Sequence, residues 1–538
     1  MSLGIMFYRQ MKKKTDEKEA GPNAYPWSRQ HLTETLQDLL TYSLIGLSQL
    51  VRAGQKKGLP ASAGVFTARA ATATSSEWLI DPYQIIELIQ QAVVIRDRLR
   101  EQVHSMAGEV RLPKGPADFE PATTIPGLLS QADQILPHSL PSQSRDTNSL
   151  GYLLLSGIRG LAAYAAHAHL LGVENESVFT SLQNGLAAIH RNDPDPDDWT
   201  ARAEACGCSA AKIMGLLDQA CIRHYGQPFS VRVPLGARKG RAILVAGHNF
   251  RDLEALLRQA KGRGVHIYTY GEMLEAHQYP RFRQFRELAG HYEPGESSPM
   301  EDFFRFPGAV LLTGGGPVPN ITGKISNLFT SGPLARPGVF HIMNRKFSRV
   351  IDHALAMEGF LKEEDQGKAE VGNDLKPFTA QADHISSKMK KGDIRRIFLV
   401  AECSRTNPWQ TDGKWLPRIP EDAMAVFITC RDIGVSFHDS DLFPDTSLTK
   451  MIGQCRDPRQ VVRVIRTLSD LLGAPASSLP VSLFFSWPGQ KSMGVVMALF
   501  SLGLKEICLG PALPEGITPG ILEMLGNRYG ILAADRER

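Results

Sequence analysis

The feature that most constrains this chain is a change of texture near Pro234. Beyond it, apolar runs of five or six residues recur: AILVA (242–246), HIYTY (266–270), AVLLT (309–313), IFLVA (397–401), AVFIT (425–429) and VSLFFS (481–486). Helix-like segments stand between several of them, such as Asp252–Ala260, with Leu253, Leu256, Leu257 and Ala260 on one face. Short buried strands alternating with amphipathic helices predict parallel sheets of the doubly wound kind. Before Pro234 the period is helical. Leu36, Leu39, Leu40, Leu44, Leu47 and Leu50 recur at helix spacing, and Ile85–Val103 repeats the pattern. Further helical runs are Leu150–Leu171, Val178–His190 and Trp199–Tyr225, with Leu112–Pro126 and Pro137–Ser149 expected as loops. The charged stretch Lys362–Lys391 is expected to connect two α/β units. The fold expected is therefore α plus α/β: an N-terminal helical-bundle domain over 1–230, then Rossmann-like parallel-sheet domains over 231–385 and 386–538.

Composition excludes several classes. With 43% hydrophobic and 22% charged residues the chain is ordinary globular protein. Sixty Lys and Arg against 56 Asp and Glu give +4 over 538 residues, so no nucleic-acid partner is implied. The opening MSLGIMFYRQMKKKTDEKEAG lacks the apolar core of a signal peptide. The most apolar stretch, Leu150–Gly172, carries Arg159, His167 and His169, which suits a buried helix better than a membrane span. Seven cysteines in so long a chain do not make a disulfide framework, so a reduced, cytoplasmic setting is expected. No sequence feature sets an oligomeric state.

In an open parallel sheet, ligands bind just beyond the carboxyl ends of the strands. His248 follows AILVA, Glu272 follows HIYTY, Cys403 follows IFLVA after one Glu, and Cys430 follows AVFIT directly. Cys455 lies in GQCRDP, before the helix-like QVVRVIRTLSDLL. Taken singly, each has a plainer reading: a helix cap or core histidine, or a cysteine acting as a small hydrophobe. Taken as a set, imidazole, carboxylate and thiolates suit an iron–sulfur–oxygen site better than magnesium or calcium. Cys221 and Cys508 read as packing. Cys206 and Cys208 form a CxC whose side chains diverge around a helix. Gly314-Gly315-Gly316 reads as a tight turn, because it lacks the Lys and Ser/Thr of a phosphate loop.

Longer segments carry a resemblance. LQDLLTYSLIGLS (36–48), GHNFRDLEALLRQ, GVHIYTYGEMLEAHQYP, FPGAVLLT, FTSGPLARPGV, GQCRDP and SWPGQKSMGVVMALFSLGLKEICLGPALP together resemble the hybrid-cluster (prismane, hydroxylamine reductase) family. The resemblance implies a helical domain, two Rossmann-like domains and an iron–sulfur–oxygen hybrid cluster. It places His248, Glu272, Cys403, Cys430 and Cys455 as ligands, with Cys403 at the persulfide-forming position and Cys403, Glu272 and His248 at the reacting centre.

The departures are as informative. Gly316 stands where the family carries another ligand cysteine, and Gly489 where it carries a second ligand glutamate. In MFYRQM, Tyr8 and Met11 replace the cysteines of the family's M-F-C-x-x-C opening, and no cysteine precedes Cys206. No N-terminal iron–sulfur cluster, neither a four-iron–four-sulfur cubane nor a two-iron–two-sulfur cluster, is therefore expected. Two readings follow. One is a divergent reductase of hydroxylamine or another small nitrogen oxide species, working at an altered cluster in nitrosative stress and fed by a separate redox donor protein. The other is a pseudoenzyme that keeps the fold as a structural or regulatory partner.

Overall fold

The computed structural model describes residues 29–59, 63–74, 80–107, 112, 115–138, 145–189, 196–292, 299–314, 326–333, 335–372, 382–402, 420, 422–429, 449–454, 457–486, 490–510 and 517–533. The first part is helical: α1 (Arg29–Gln55), α2 (Gly64–Thr72), α3 (Pro82–Ala107), α4 (Ile125–His138), α5 (Arg145–Leu170), α6 (Glu176–Ala188) and α7 (Pro196–Tyr225). The leucine stripe of α1 is what buries it: Leu36, Leu39, Leu40, Leu44 and Leu47 are all fully covered. Asn175 caps α6 by accepting the Val178 backbone N–H, which fixes where that helix starts. Two expected loops are shorter than the sequence suggested. Helix α4 begins inside Leu112–Pro126, and α5 begins at Arg145.

From Val231 onward, strands and helices alternate. The strands are β1 (Val231–Ala237), β2 (Arg241–Gly247), β3 (Val265–Tyr270), β4 (Leu288–His291), β5 (Ala309–Thr313), β6 (Leu328–Ser331), β7 (Phe340–Ile342), β8 (Glu364–Val371), β9 (Arg396–Glu402), β10 (Ala423–Thr429), β11 (Thr449–Gln454), β12 (Val481–Ser486), β13 (Ile507–Leu509) and β14 (Ile531–Ala533). The helices among them are α8 (Phe250–Ala260), α9 (Pro280–Arg283), α10 (Pro299–Arg305), α11 (Ser348–Ala356), α12 (Ala382–Lys391), α13 (Arg459–Leu472), α14 (Gln490–Ser501) and α15 (Pro519–Tyr529). All six sequence-predicted strands are present. The expected connector Lys362–Lys391 is not merely a linker, because it contains β8 and α12. Strand β8 lacks an apolar run: it carries charge outward and buries only a few residues, Ala369 and Val371 among them. Its strand conformation comes from antiparallel pairing with β1, from Val231↔Val371 to Ala237↔Glu364.

The described strands form one ladder in the order β14-β13-β12-β9-β10-β11-β8-β1-β4-β3-β2-β5-β6-β7. Read outward from the β8–β1 pair, both sides follow the same plan. Each side lays three strands from the outside inward toward that pair, then returns beside the first strand and continues away from it. That is the doubly wound order, with a switch point between β2 and β5 on one side and between β9 and β12 on the other. A single apolar core joins the helical layer to both sides, running through Leu36, Leu161 and Leu217, then Ile243 and Leu311, then Ile397 and Leu483.

Candidate functional site

Strands β2 and β3 pair in parallel through Ala246↔Tyr270, so the residues that follow them emerge side by side. Gly247 makes the exit from β2 possible. Its φ is +105°, and a Cβ there would lie 2.0 Å from the Thr313 carbonyl oxygen. His248 follows, its backbone N–H donating to that carbonyl at 3.2 Å. Asn249 then caps α8, its side chain accepting the N–H groups of Arg251 at 3.1 Å and Asp252 at 3.3 Å. Across the switch point, Gly314 has φ +71°, and a Cβ added to it would meet His248 Nε2 at 3.2 Å. The close approach of this loop to the imidazole therefore requires glycine. Gly315 and Gly316 lie outside the described residues.

Glu272 sits in the first turn of a 3-10 segment, Gly271–Gln278, that follows β3. Its carboxylate accepts from Lys491 Nζ at 2.6 Å, and Lys491 lies in the first turn of α14, following β12. Lys491 also stands 3.8 Å from Asp457. Asp457 Oδ1 accepts the Tyr164 hydroxyl of α5 at 2.8 Å and the Arg459 backbone N–H at 3.0 Å. The Arg459 side chain reaches three carboxylates. Nε donates to Asp218 of α7 at 2.9 Å, Nη2 to Glu275 at 3.1 Å, and Nη1 to Asp457. On the helical side, the His167 ring of α5 lies 4.7 Å from the His248 ring, centroid to centroid, tilted by 49°. Among the described residues, His167 Nδ1 is buried with no hydrogen-bond partner.

The electrostatics follow from burial and these contacts. Burial holds His167 well below the usual histidine range, helped by His248, Lys491 and Arg459, so it is a neutral imidazole. Burial pushes the Glu272 carboxyl up, against the pull of Lys491. For Lys491 burial works against the charge, but Glu272 and Asp457 hold it above its ordinary value. Burial likewise disfavours ionised Asp457, yet Arg459 and Lys491 keep it below the usual carboxylate range.

The structure brings His248 and Glu272 to adjacent strand ends beside the helical layer. Cys403, Cys430 and Cys455 lie outside the described residues, but the residues that lead into them do not. Glu402 pairs with Thr429, and Thr429 with Gln454, at the carboxyl ends of β9, β10 and β11. Among the described residues no three His, Cys, Asp or Glu side chains form a metal-holding group. The cysteines of the helical layer behave as packing. Burial pushes the Cys206 and Cys221 thiols up to about 12, while Cys208 points outward. Cys508, on β13, is buried and pushed up to about 11.

Sequence reasoning passed over His167, Tyr164, Asp457, Arg459, Glu275 and Lys491. The available signal was a set of charged or imidazole groups inside otherwise apolar segments, such as Glu275 in MLEAH and His167 in YAAHAHLLG.

Fold and site together define a doubly wound α/β protein with two topological switch points and an ionic centre that joins the strand ends to the helical layer. The chain belongs to the Prismane/CO dehydrogenase family, whose model matches residues 29–535. It is 34% identical over 505 residues to a hydroxylamine reductase of Methanocella arvoryzae, covering 93% of each chain. It is 35% identical over 501 residues to a hydroxylamine reductase of Solidesulfovibrio magneticus, covering 92% of each. The resemblance read from the motifs is therefore borne out. Among solved structures, a chain in a structure of acetyl-CoA synthase/carbon monoxide dehydrogenase matches with TM-score 0.51 at 12% identity, over 93% of this chain and 80% of that one, which shows a shared fold. Among the described residues no helix is long and apolar enough to cross a membrane.

Proposed function

We propose that this chain is a hydroxylamine reductase-like oxidoreductase of the hybrid-cluster type, with an altered iron–sulfur–oxygen cluster bound between the helical layer and the two strand-end crevices. The observation that carries the reading is placement: His248 and Glu272 stand at adjacent strand ends, and the strand ends leading to Cys403, Cys430 and Cys455 are mutually in register. The lining supports the same reading: Asp218, Glu272, Glu275 and Asp457 gather around Arg459 and Lys491, an environment already built to hold charge beside Glu272. The unpartnered Nδ1 of His167 is a further polar group awaiting a ligand.

His248 would hold iron through nitrogen, Glu272 through oxygen, and the three cysteines through thiolate sulfur. When bound, such a cluster supplies the redox change and a Lewis-acidic iron, while the protein sets access and orientation. Lys491 holds a proton beside Glu272, and the helical layer covers His248 and keeps His167 neutral. For hydroxylamine the balanced reaction takes two electrons and two protons and gives ammonia and water. The electrons come from a separate redox donor protein in the cytoplasm, because the N-terminal region has no cysteine to hold a relay cluster. Neither nucleic acid nor membrane has a role in this reading. Anaerobically loaded protein with reduced viologen should form ammonia from hydroxylamine in proportion to bound iron. Iron-loaded protein that forms none would contradict the assignment.

A second reading has its own observation. Glu272 already has a partner in Lys491, and Gly316 and Gly489 offer no ligand side chain. On that reading the chain is a pseudoenzyme serving as a structural or regulatory partner. It requires that anaerobically purified protein carry no stoichiometric iron or sulfide.

A further inference from the structure

Three carboxylates from three separated parts of the chain converge on one guanidinium. Asp218 comes from α7, Glu275 from the 3-10 segment behind Glu272, and Asp457 from the turn into α13. The Arg459 side chain is 2% exposed, and those of Asp457 and Glu275 are 3% and 4% exposed. A buried charge without partners is strongly unfavourable, so this arrangement is held only while every arm is satisfied. The guanidinium fork suits the task because its nitrogens diverge in a plane and each can face a different acceptor. Asp457, in turn, is the second carboxylate beside Lys491, whose Nζ lies 3.8 Å from it and 2.6 Å from Glu272.

We propose that Arg459 is the positioning residue of the site: through Asp457 it fixes Lys491, and through Lys491 it sets the Glu272 carboxylate. Glu275 ties the same guanidinium to the segment that carries Glu272, three residues away, so Arg459 acts on Glu272 by two routes. Asp218 anchors the arrangement to the helical layer. The proposal rests on Glu272 as a ligand in the function proposed above, but it makes a claim about the metal-free protein as well.

The test therefore has two arms. In metal-free protein, acylation of Lys491 by acetic anhydride is followed by peptide mass spectrometry, with alkylation of buried Cys206 as the control for folding. Wild-type Lys491 should be protected. In Arg459→Met it should react faster by about tenfold, a factor in line with losing one hydrogen bond between charged groups. Arg459→Lys, which keeps the charge without the fork, should fall between them. In the anaerobically iron-loaded protein, the Mössbauer signature of oxygen-ligated iron should shift in Arg459→Met while sulfur-ligated iron is retained. Unchanged Lys491 protection and an unchanged iron signature in folded Arg459→Met would overturn the proposal. If Arg459→Met fails to fold, Asp218→Asn removes one partly exposed arm. It should raise Lys491 reactivity by a smaller factor, and no rise would overturn the proposal. Wild-type protein that binds no iron would contradict the cluster reading alone, and Lys491 labelling would still decide the role of Arg459.

Discussion

Two polar groups of residues lie buried within a few residues of each other, and they are built on opposite principles. Around Arg459, charge is buried and offset by opposite charge: the carboxylates of Asp457, Glu275 and Asp218 face Arg459 and, through Asp457, Lys491, drawing on four parts of the chain. Behind Glu272, in contrast, a buried imidazole is held neutral. The Thr269 hydroxyl stands 2.9 Å from both His277 Nε2 and His291 Nδ1, and burial pushes His277 down to about 3. The ionic group spans layers and the neutral one stays within the first sheet. The contrast fits a division of labour: the charged group orients the site, and the neutral one packs the strand that carries it.

The largest expected effect is on the ionic side. Asp457→Ala removes the acceptor of Tyr164 and the shared partner of Arg459 and Lys491, and should destabilise the fold by about 3–5 kcal/mol in denaturant unfolding. A cost near that of a surface substitution would show that the ionic group is dispensable.

The neutral side should instead show itself in pH dependence. An unfolded histidine titrates near 6.5, whereas folded His277 is held neutral down to about 3. Its stabilising contribution is therefore complete above about pH 6.5 and declines as pH falls toward 3. Between pH 7 and 5 the wild type should lose about 2 kcal/mol more than His277→Gln, measured by denaturant midpoint at each pH. Equal losses in both proteins would place the sensitivity elsewhere.

The smallest effect belongs to an exposed pair used as a reference. Arg528 bridges Asp197 at 3.2 Å with both side chains substantially in water, so Arg528→Ala should change unfolding stability by less than about 1 kcal/mol. A loss comparable to Asp457→Ala would erase the distinction between buried and exposed charge on which the comparison depends.

Much of the fold was legible because buried parallel strands read as continuous apolar runs, and all six such runs became strands. Strand β8 was not legible, since a half-exposed antiparallel strand of charged residues has neither an apolar run nor a clear alternation. His248 and Glu272 were legible because they follow strong strands directly. The ionic group was hidden for a different reason. Asp218, Glu275 and Lys491 lie far in sequence from Asp457 and Arg459, and only the winding of both sheet halves against the helical layer brings the two carboxylates to the guanidinium and Lys491 to Asp457. Sequence spacing carries no record of such a meeting. Gly314 falls between the two cases. It was readable as a tight turn, but the His248 ring packed against it was not.

The proposed function requires that this chain hold a metal cluster through the carried-over residues despite Gly316 and Gly489. Its most direct test is iron and acid-labile sulfide per folded monomer after anaerobic purification, compared among wild type, Cys403→Ala and Cys221→Ala, with circular dichroism confirming each fold. The account predicts stoichiometric iron and sulfide in wild type, loss of most of both in Cys403→Ala, and no change in Cys221→Ala, whose thiol is buried as packing. Wild-type protein without iron, or equal iron in both variants, would contradict it.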